Sequence, residues 1–167
     1  MTIKDALLPE FDHEMATTRR LLERVPLAEA QWKPHPKSQT LGELAAQIVE
    51  LPGWVGSIVN SPFADLAASE HGAKPEFKSS DELLAAFDRN VAKARAAIES
   101  KTDAEMMESW SLKHGEKVLV TMPKVGVLRS FLLNHVIHHR GQLSVYIRLK
   151  DVPVPSIYGP SADEAPF

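Results

Sequence analysis

The sequence predicts an all-α protein, a four-helix bundle with a small hairpin before the last helix and an extended C-terminal tail. Three observations carry this. Apolar residues recur at steps of three and four in four separate stretches, the pattern of helices that each bury one face. Three of those stretches open on a Thr or Ser followed three residues later by Asp or Glu, the pattern of a helix N-terminus. The helical period gives way to alternation in one place, between Met107 and Met122.

The first helix runs from about Ile3 to Arg24, with Thr2 and Asp5 as its cap and Pro26 just past its end. Its stripe is Leu8, Phe11, Met15, Thr18, Leu22 and Val25, and Pro9 would move its start to near Leu8. Asp12, His13 and Glu14 are consecutive and point in different directions, so at least two of them belong to the solvated surface. The connection from Ala28 to Gln39 is anchored by Trp32, and His35, held between Pro34 and Pro36, caps or packs. Thr40-Leu-Gly-Glu43 opens the second helix, with the seam Leu44, Gln47, Leu51, Trp54 and Ile58, Leu41, Ile48 and Val55 beside it, and a kink at Pro52. Gln47 is the one polar residue on that seam.

From Asn60 to Lys78 the composition is that of a surface crossover, with one helical turn at Phe63 to Ser69 and an exposed His71. Ser79 to Glu82 caps the third helix, whose stripe of Leu84, Phe87, Val91, Ala94 and Ile98 holds no ionisable group. Trp110, Leu112, Val118 and Val120 flank a turn at Gly115, with His114 solvated at the tip. Pro123 suits the first turn of the fourth helix, which extends to about Lys150. The Pro-rich segment after Asp151 reads as an extended tail packed back on the body.

On the fourth helix, Leu128, Leu132, His135, His139, Gln142, Tyr146 and Leu149 form the expected seam. His135 and His139 are one turn apart, about 6 Å along the axis, and share a face. Two histidines and a glutamine thus stand where packing asks for Leu or Val, a local rule broken in one place. The spacing suits a pair of metal ligands. It equally suits core histidines bonded to neighbouring carbonyls or carboxylates. His138 falls off the seam.

The 167 residues are one domain's length, with a hydrophobic fraction of 44% and 25% charged residues, which excludes disorder. A net charge of -3 and the absence of any basic run leave no footprint for nucleic acid. With no cysteine, disulfides, thiolate metal sites and a cysteine nucleophile are excluded. The N-terminus lacks a signal-peptide pattern and no stretch is long enough for a membrane span, so a soluble, cytoplasmic protein is expected.

His135-Val-Ile-His-His139-Arg-Gly-Gln142-Leu-Ser-Val-Tyr146 and Pro153-Val-Pro-Ser-Ile-Tyr-Gly-Pro160-Ser-Ala-Asp-Glu164 resemble the DinB/YfiT-like family. Trp32-Lys-Pro-His-Pro-Lys-Ser38, Thr40-Leu-Gly-Glu-Leu-Ala45 and Leu51-Pro-Gly-Trp54 add to the likeness, which spans nearly the whole chain. The resemblance implies an up-down-down-up four-helix bundle, commonly a homodimer, around a divalent metal such as Zn²⁺, Ni²⁺ or Fe²⁺. It implies three histidine ligands, one from the second helix and an i, i+4 pair from the fourth. The pair maps onto His135 and His139, but the second-helix position holds Gln47, whose neutral amide is a poorer donor. Gln47 is therefore expected as a weak third ligand, with Glu43, Glu50 or His13 as substitutes, or else the site has lost its metal. The activity implied is transfer of a low-molecular-weight thiol, such as bacillithiol, to a small electrophile, with Arg140 or Tyr146 as candidates to orient an anionic substrate. Metal-assisted hydrolysis with Glu43 or Glu50 as base, and a non-enzymatic ligand-binding bundle, are the alternatives.

Overall fold

A computed structural model describes residues 1–68 and 74–165, so the expectations for Ser69 and His71 lie outside the described residues. The first helix, α1 (Ile3–Leu22), begins at its cap. The Thr2 hydroxyl accepts the Asp5 N–H while the Asp5 carboxylate accepts the Thr2 N–H at 2.7 Å. Pro9 therefore does not displace the start: it sits inside the helix and forgoes one backbone bond, to the turn that the cap holds in place.

The second helical segment is α2 (Leu41–Glu50), a 3₁₀ turn (Leu51–Trp54) and α3 (Val55–Asn60), with the interruption at Pro52 as expected. Pro52 has no N–H and the tighter turn leaves carbonyls of α2 without helical partners. Asn90, on α4 (Ser80–Glu99), reaches across and donates its side-chain N–H to the Val49 carbonyl at 2.8 Å. Asn90→Ala should therefore cost about 1–2 kcal/mol, read as a lowered urea midpoint at unchanged slope.

After α5 (Asp103–Met106) come β2 (Ser109–His114) and β3 (Lys117–Pro123), antiparallel about a turn in which Gly115 has φ 61°. This is the expected hairpin, but it is not alone. Phe63 to Asp65 is not a helical turn; it is a strand, β1, paired parallel with β2 in the register Phe63↔Ser111, Ala64↔Leu112, Asp65↔Lys113. The free edge of β2 satisfies its backbone groups, and Asp65 Oδ1 accepts the Gly115 N–H at 2.9 Å, tying the crossover to the hairpin turn.

The last helical segment is α6 (Lys124–Val127), a π-helical stretch (Leu128–Leu133) and α7 (Asn134–Arg148). In the helical body α1 lies against α4 and α7, and α2 lies against the same two helices. The core between them includes Phe11, Leu22, Leu44, Ile48, Phe87, Ile98, Leu132 and Val136. No described helix is long and apolar enough to cross a membrane.

The π-helical stretch shifts the seam of the fourth helix past Leu132 from the one expected. A wide turn takes one residue more than an α-turn and rotates everything after it. Leu128, Leu132 and His139 of the expected seam are buried, but Val136, Arg140, Leu143 and Ile147, each one position later than a seam residue, are buried too. Leu149 is 56% exposed and Gln142 also faces solvent. On the second helical segment Leu44, Leu51 and Ile58 of the expected seam are buried, as are Leu41, Ile48 and Val55 beside it, while Gln47 is half-buried and Trp54 is 45% exposed. The polar residues of both helices thus lie along the rim of the α2–α7 contact.

Candidate functional site

Gln47 on α2 and His135 and His139 on α7 meet at that rim. The Gln47 amide nitrogen is 2.9 Å from Nε2 of His139 and 3.4 Å from Nε2 of His135. The two imidazole centroids are 4.6 Å apart. His139 is nearly buried, His135 half-buried, and the exposed Trp54 ring lies 6.1 Å from His135 at the outer side. All three residues expected at the site are brought together.

The far nitrogen of His139 fixes its tautomer: Nδ1 pairs with Gln142 Oε1 at 2.7 Å. That acceptor takes an N–H, so the His139 proton sits on Nδ1 and its Nε2 lone pair faces Gln47. Burial pushes both imidazoles below their ordinary value of 6.5, and the neighbouring histidines push the same way. They are neutral at pH 7.

The orientation of the Gln47 amide follows from its other contacts. Its Oε1 accepts from Gln39 Nε2 at 2.9 Å and from the Lys74 ammonium at 3.0 Å. An ammonium only donates, so Oε1 must face Lys74, and the N–H groups must face the histidines. Lys74 and Gln39 were not legible as site residues. Both lie in connections between helices, where no periodicity points them anywhere.

The donor chemistry fits a borderline divalent ion at the two imidazole nitrogens, which converge on the Gln47 amide as its acceptors. The third corner fits only with the Gln47 amide turned, its oxygen inward. No other ligand replaces it: among the described residues no three His, Cys, Asp or Glu side chains gather. Glu43 is exposed and its carboxylate caps α2 by accepting the Thr40 N–H at 2.7 Å, which also holds it below the ordinary carboxylate range. His13 is exposed on α1, His114 is exposed at the hairpin tip, and His35 accepts the Lys37 N–H, a local cap as expected.

Arg140 does not face this site, and Tyr146 stands beside it, its hydroxyl donating to the carbonyl of Gln39, the residue that bonds Gln47. Tyr146 packs edge-on against Trp32 at 5.7 Å and holds the connection before α2. Arg140 is 1% exposed on the opposite side of α7, paired with Glu14 of α1 at 2.6 Å. Its guanidinium also donates to the Glu14 carbonyl, the Thr18 hydroxyl and the Tyr158 hydroxyl, and Tyr158 in turn donates to the Glu14 carboxylate at 2.9 Å. The tail that carries Tyr158 is strapped down by Glu164 with Arg20 and Arg24, and by Asp163 with Arg148 and the Val154 N–H. This cluster fixes the rotation of α7: with Arg140 locked against α1, the residue before it, His139, is turned toward α2.

Comparison with known proteins agrees with this architecture. The chain is 28% identical over 162 residues to the Bacillus subtilis (strain 168) protein YrdA, itself described as uncharacterized, covering 96% of this chain and 90% of that one. A DinB-like protein from Bacillus cereus ATCC 10987 superposes with a TM-score of 0.74 at 23% identity, over 94% of this chain and 98% of that one. YjoA, a DinB-like protein from Bacillus subtilis, superposes with a TM-score of 0.69 at 18% identity, over 91% and 96%. The model of the DinB family matches residues 1–166, and the chain belongs to that family.

Proposed function

We propose that this protein is a metal-dependent enzyme that transfers a small thiol to an electrophilic small molecule, at a divalent ion held by His135 and His139. The observation that carries the reading is the convergence of two proton-free imidazole nitrogens at the α2–α7 rim, that of His139 oriented by the Gln142 hydrogen bond at its other nitrogen. When bound, the ion supplies the Lewis acidity that lowers the pKa of a thiol. His135 and His139 hold, Gln142 orients His139, and the exposed Trp54 ring offers an apolar wall to an incoming electrophile. With Glu43 consumed by the cap of α2, the hydrolytic reading loses one of its two candidate bases.

The full reading is a four-helix up-down-down-up bundle working as a cytoplasmic homodimer. The outward face of α7, where Val145 and Leu149 are each 56% exposed, favours a covered surface there. The test of function is conjugation of a panel of low-molecular-weight thiols to a chromogenic electrophile, with Zn²⁺, Ni²⁺ or Fe²⁺ added. Metal-stimulated turnover that disappears in His135→Ala and His139→Ala is expected; no turnover with any thiol and any ion would sink the transferase reading. One observation favours a second reading, a non-enzymatic ligand-binding bundle: the Gln47 N–H group already satisfies both lone pairs without an ion.

A further inference from the structure

We propose that Lys74 sets the metal affinity of this site by holding the Gln47 amide with its N–H group toward the imidazoles. The inference rests on the metal-binding reading above and concerns what limits it. Two arrangements of the amide compete. In the one observed, Oε1 accepts from Lys74 at 3.0 Å and from Gln39 at 2.9 Å, and Nε2 donates to His139 and His135. In the other, the oxygen faces the two histidines and completes a three-donor site, and the NH₂ group faces outward.

Each neighbour votes differently. Gln39 is indifferent: its own Oε1 is buried without a partner among the described residues, so its amide turns with that of Gln47 and accepts instead of donating, at no loss on that side. Lys74 is not indifferent. An ammonium has three donors and no acceptor, so the turned amide confronts it with a second donor and leaves it without the Gln47 oxygen. Its charge also opposes a cation at the adjacent imidazoles. Ion binding must therefore break the Lys74–Gln47 bond, a charge-assisted bond of the stronger kind. A residue in the crossover, far from the helical motif in sequence, thereby holds the site in its ion-free arrangement.

The experiment is a titration of Ni²⁺ into wild type, Lys74→Met, Lys74→Arg, Gln47→Leu and the Gln47→Leu/Lys74→Met double variant. Affinity is read by calorimetry, with Gln47→His as a positive control and circular dichroism as the check on folding. Lys74→Met should tighten binding about tenfold or more, the worth of a charge-assisted bond no longer broken. Lys74→Arg, which keeps charge and donors, should stay near wild type. In the Gln47→Leu background, where no amide remains to be held, the gain from Lys74→Met should shrink sharply. No gain in Lys74→Met, or the same gain with and without Gln47, would overturn the proposal while leaving the histidine site standing. Failure of Gln47→His to bind Ni²⁺ would instead remove the metal reading itself, and this inference with it.

Discussion

Glu14→Ala should destabilise the protein by about 3–5 kcal/mol, a large part of the roughly 5–15 kcal/mol that a domain holds in reserve. The substitution leaves the Arg140 guanidinium, 1% exposed, without its counter-ion, and takes away the acceptor of the Tyr158 hydroxyl. The cost is that of an uncompensated buried charge rather than of the ion pair as such. Replacing both partners with apolar residues, Glu14→Leu with Arg140→Met, should therefore recover much of the loss. Urea denaturation of Glu14→Leu, Arg140→Met and the double gives the coupling between them. Single variants within 1 kcal/mol of wild type would show that the cluster does not hold α7 against α1. A second consequence is specific to this geometry. Because Arg140 fixes the rotation of α7, a folded Arg140 variant should also lose its alignment of His139 with Gln47.

Gln47→His should raise affinity for Zn²⁺ or Ni²⁺ by more than the roughly 10–100-fold usual for a change beside a metal site, since it supplies a ligand outright. From α2 the Gln47 side chain already brings its amide nitrogen within hydrogen-bond distance of both Nε2 atoms. A neutral imidazole there brings a lone pair where the amide brings N–H. The same variant separates the two functional readings. A rise in affinity together with turnover marks an enzyme weakened at one corner; a rise in affinity alone marks a binding bundle. Unchanged affinity would mean that the rim is not a metal site, whatever its likeness to one.

How much of this is written in the sequence depends on the residue. The helix starts at Thr2 and Thr40 were legible because a cap is local chemistry, settled by residues three apart. The convergence of Gln47, His135 and His139 was legible as three polar breaks in apolar seams. The rotation of α7 was not. It depends on a π-helical stretch at Leu128–Leu133, whose residues read as an ordinary α-helix, and on the burial of Arg140 by partners more than a hundred residues away in Glu14 and Thr18. The available signal was Glu14 itself, a carboxylate beside Met15 in an apolar stripe and one turn before Thr18. Strand β1 was hidden for a similar reason: three residues with no alternation of their own are strand only because the edge of β2 is there to receive them.

The central claim is that His135 and His139 hold a divalent ion, and its most direct test is the metal content of untagged protein. Inductively coupled plasma mass spectrometry should be run on wild type and on the His135→Ala/His139→Ala double variant, each incubated with Zn²⁺ or Ni²⁺ and then desalted. The account predicts substoichiometric but reproducible metal in wild type, as expected of two imidazoles and a turned-away amide, and none in the double variant. Equal metal in the two proteins, or none in wild type even at saturating ion, would contradict it.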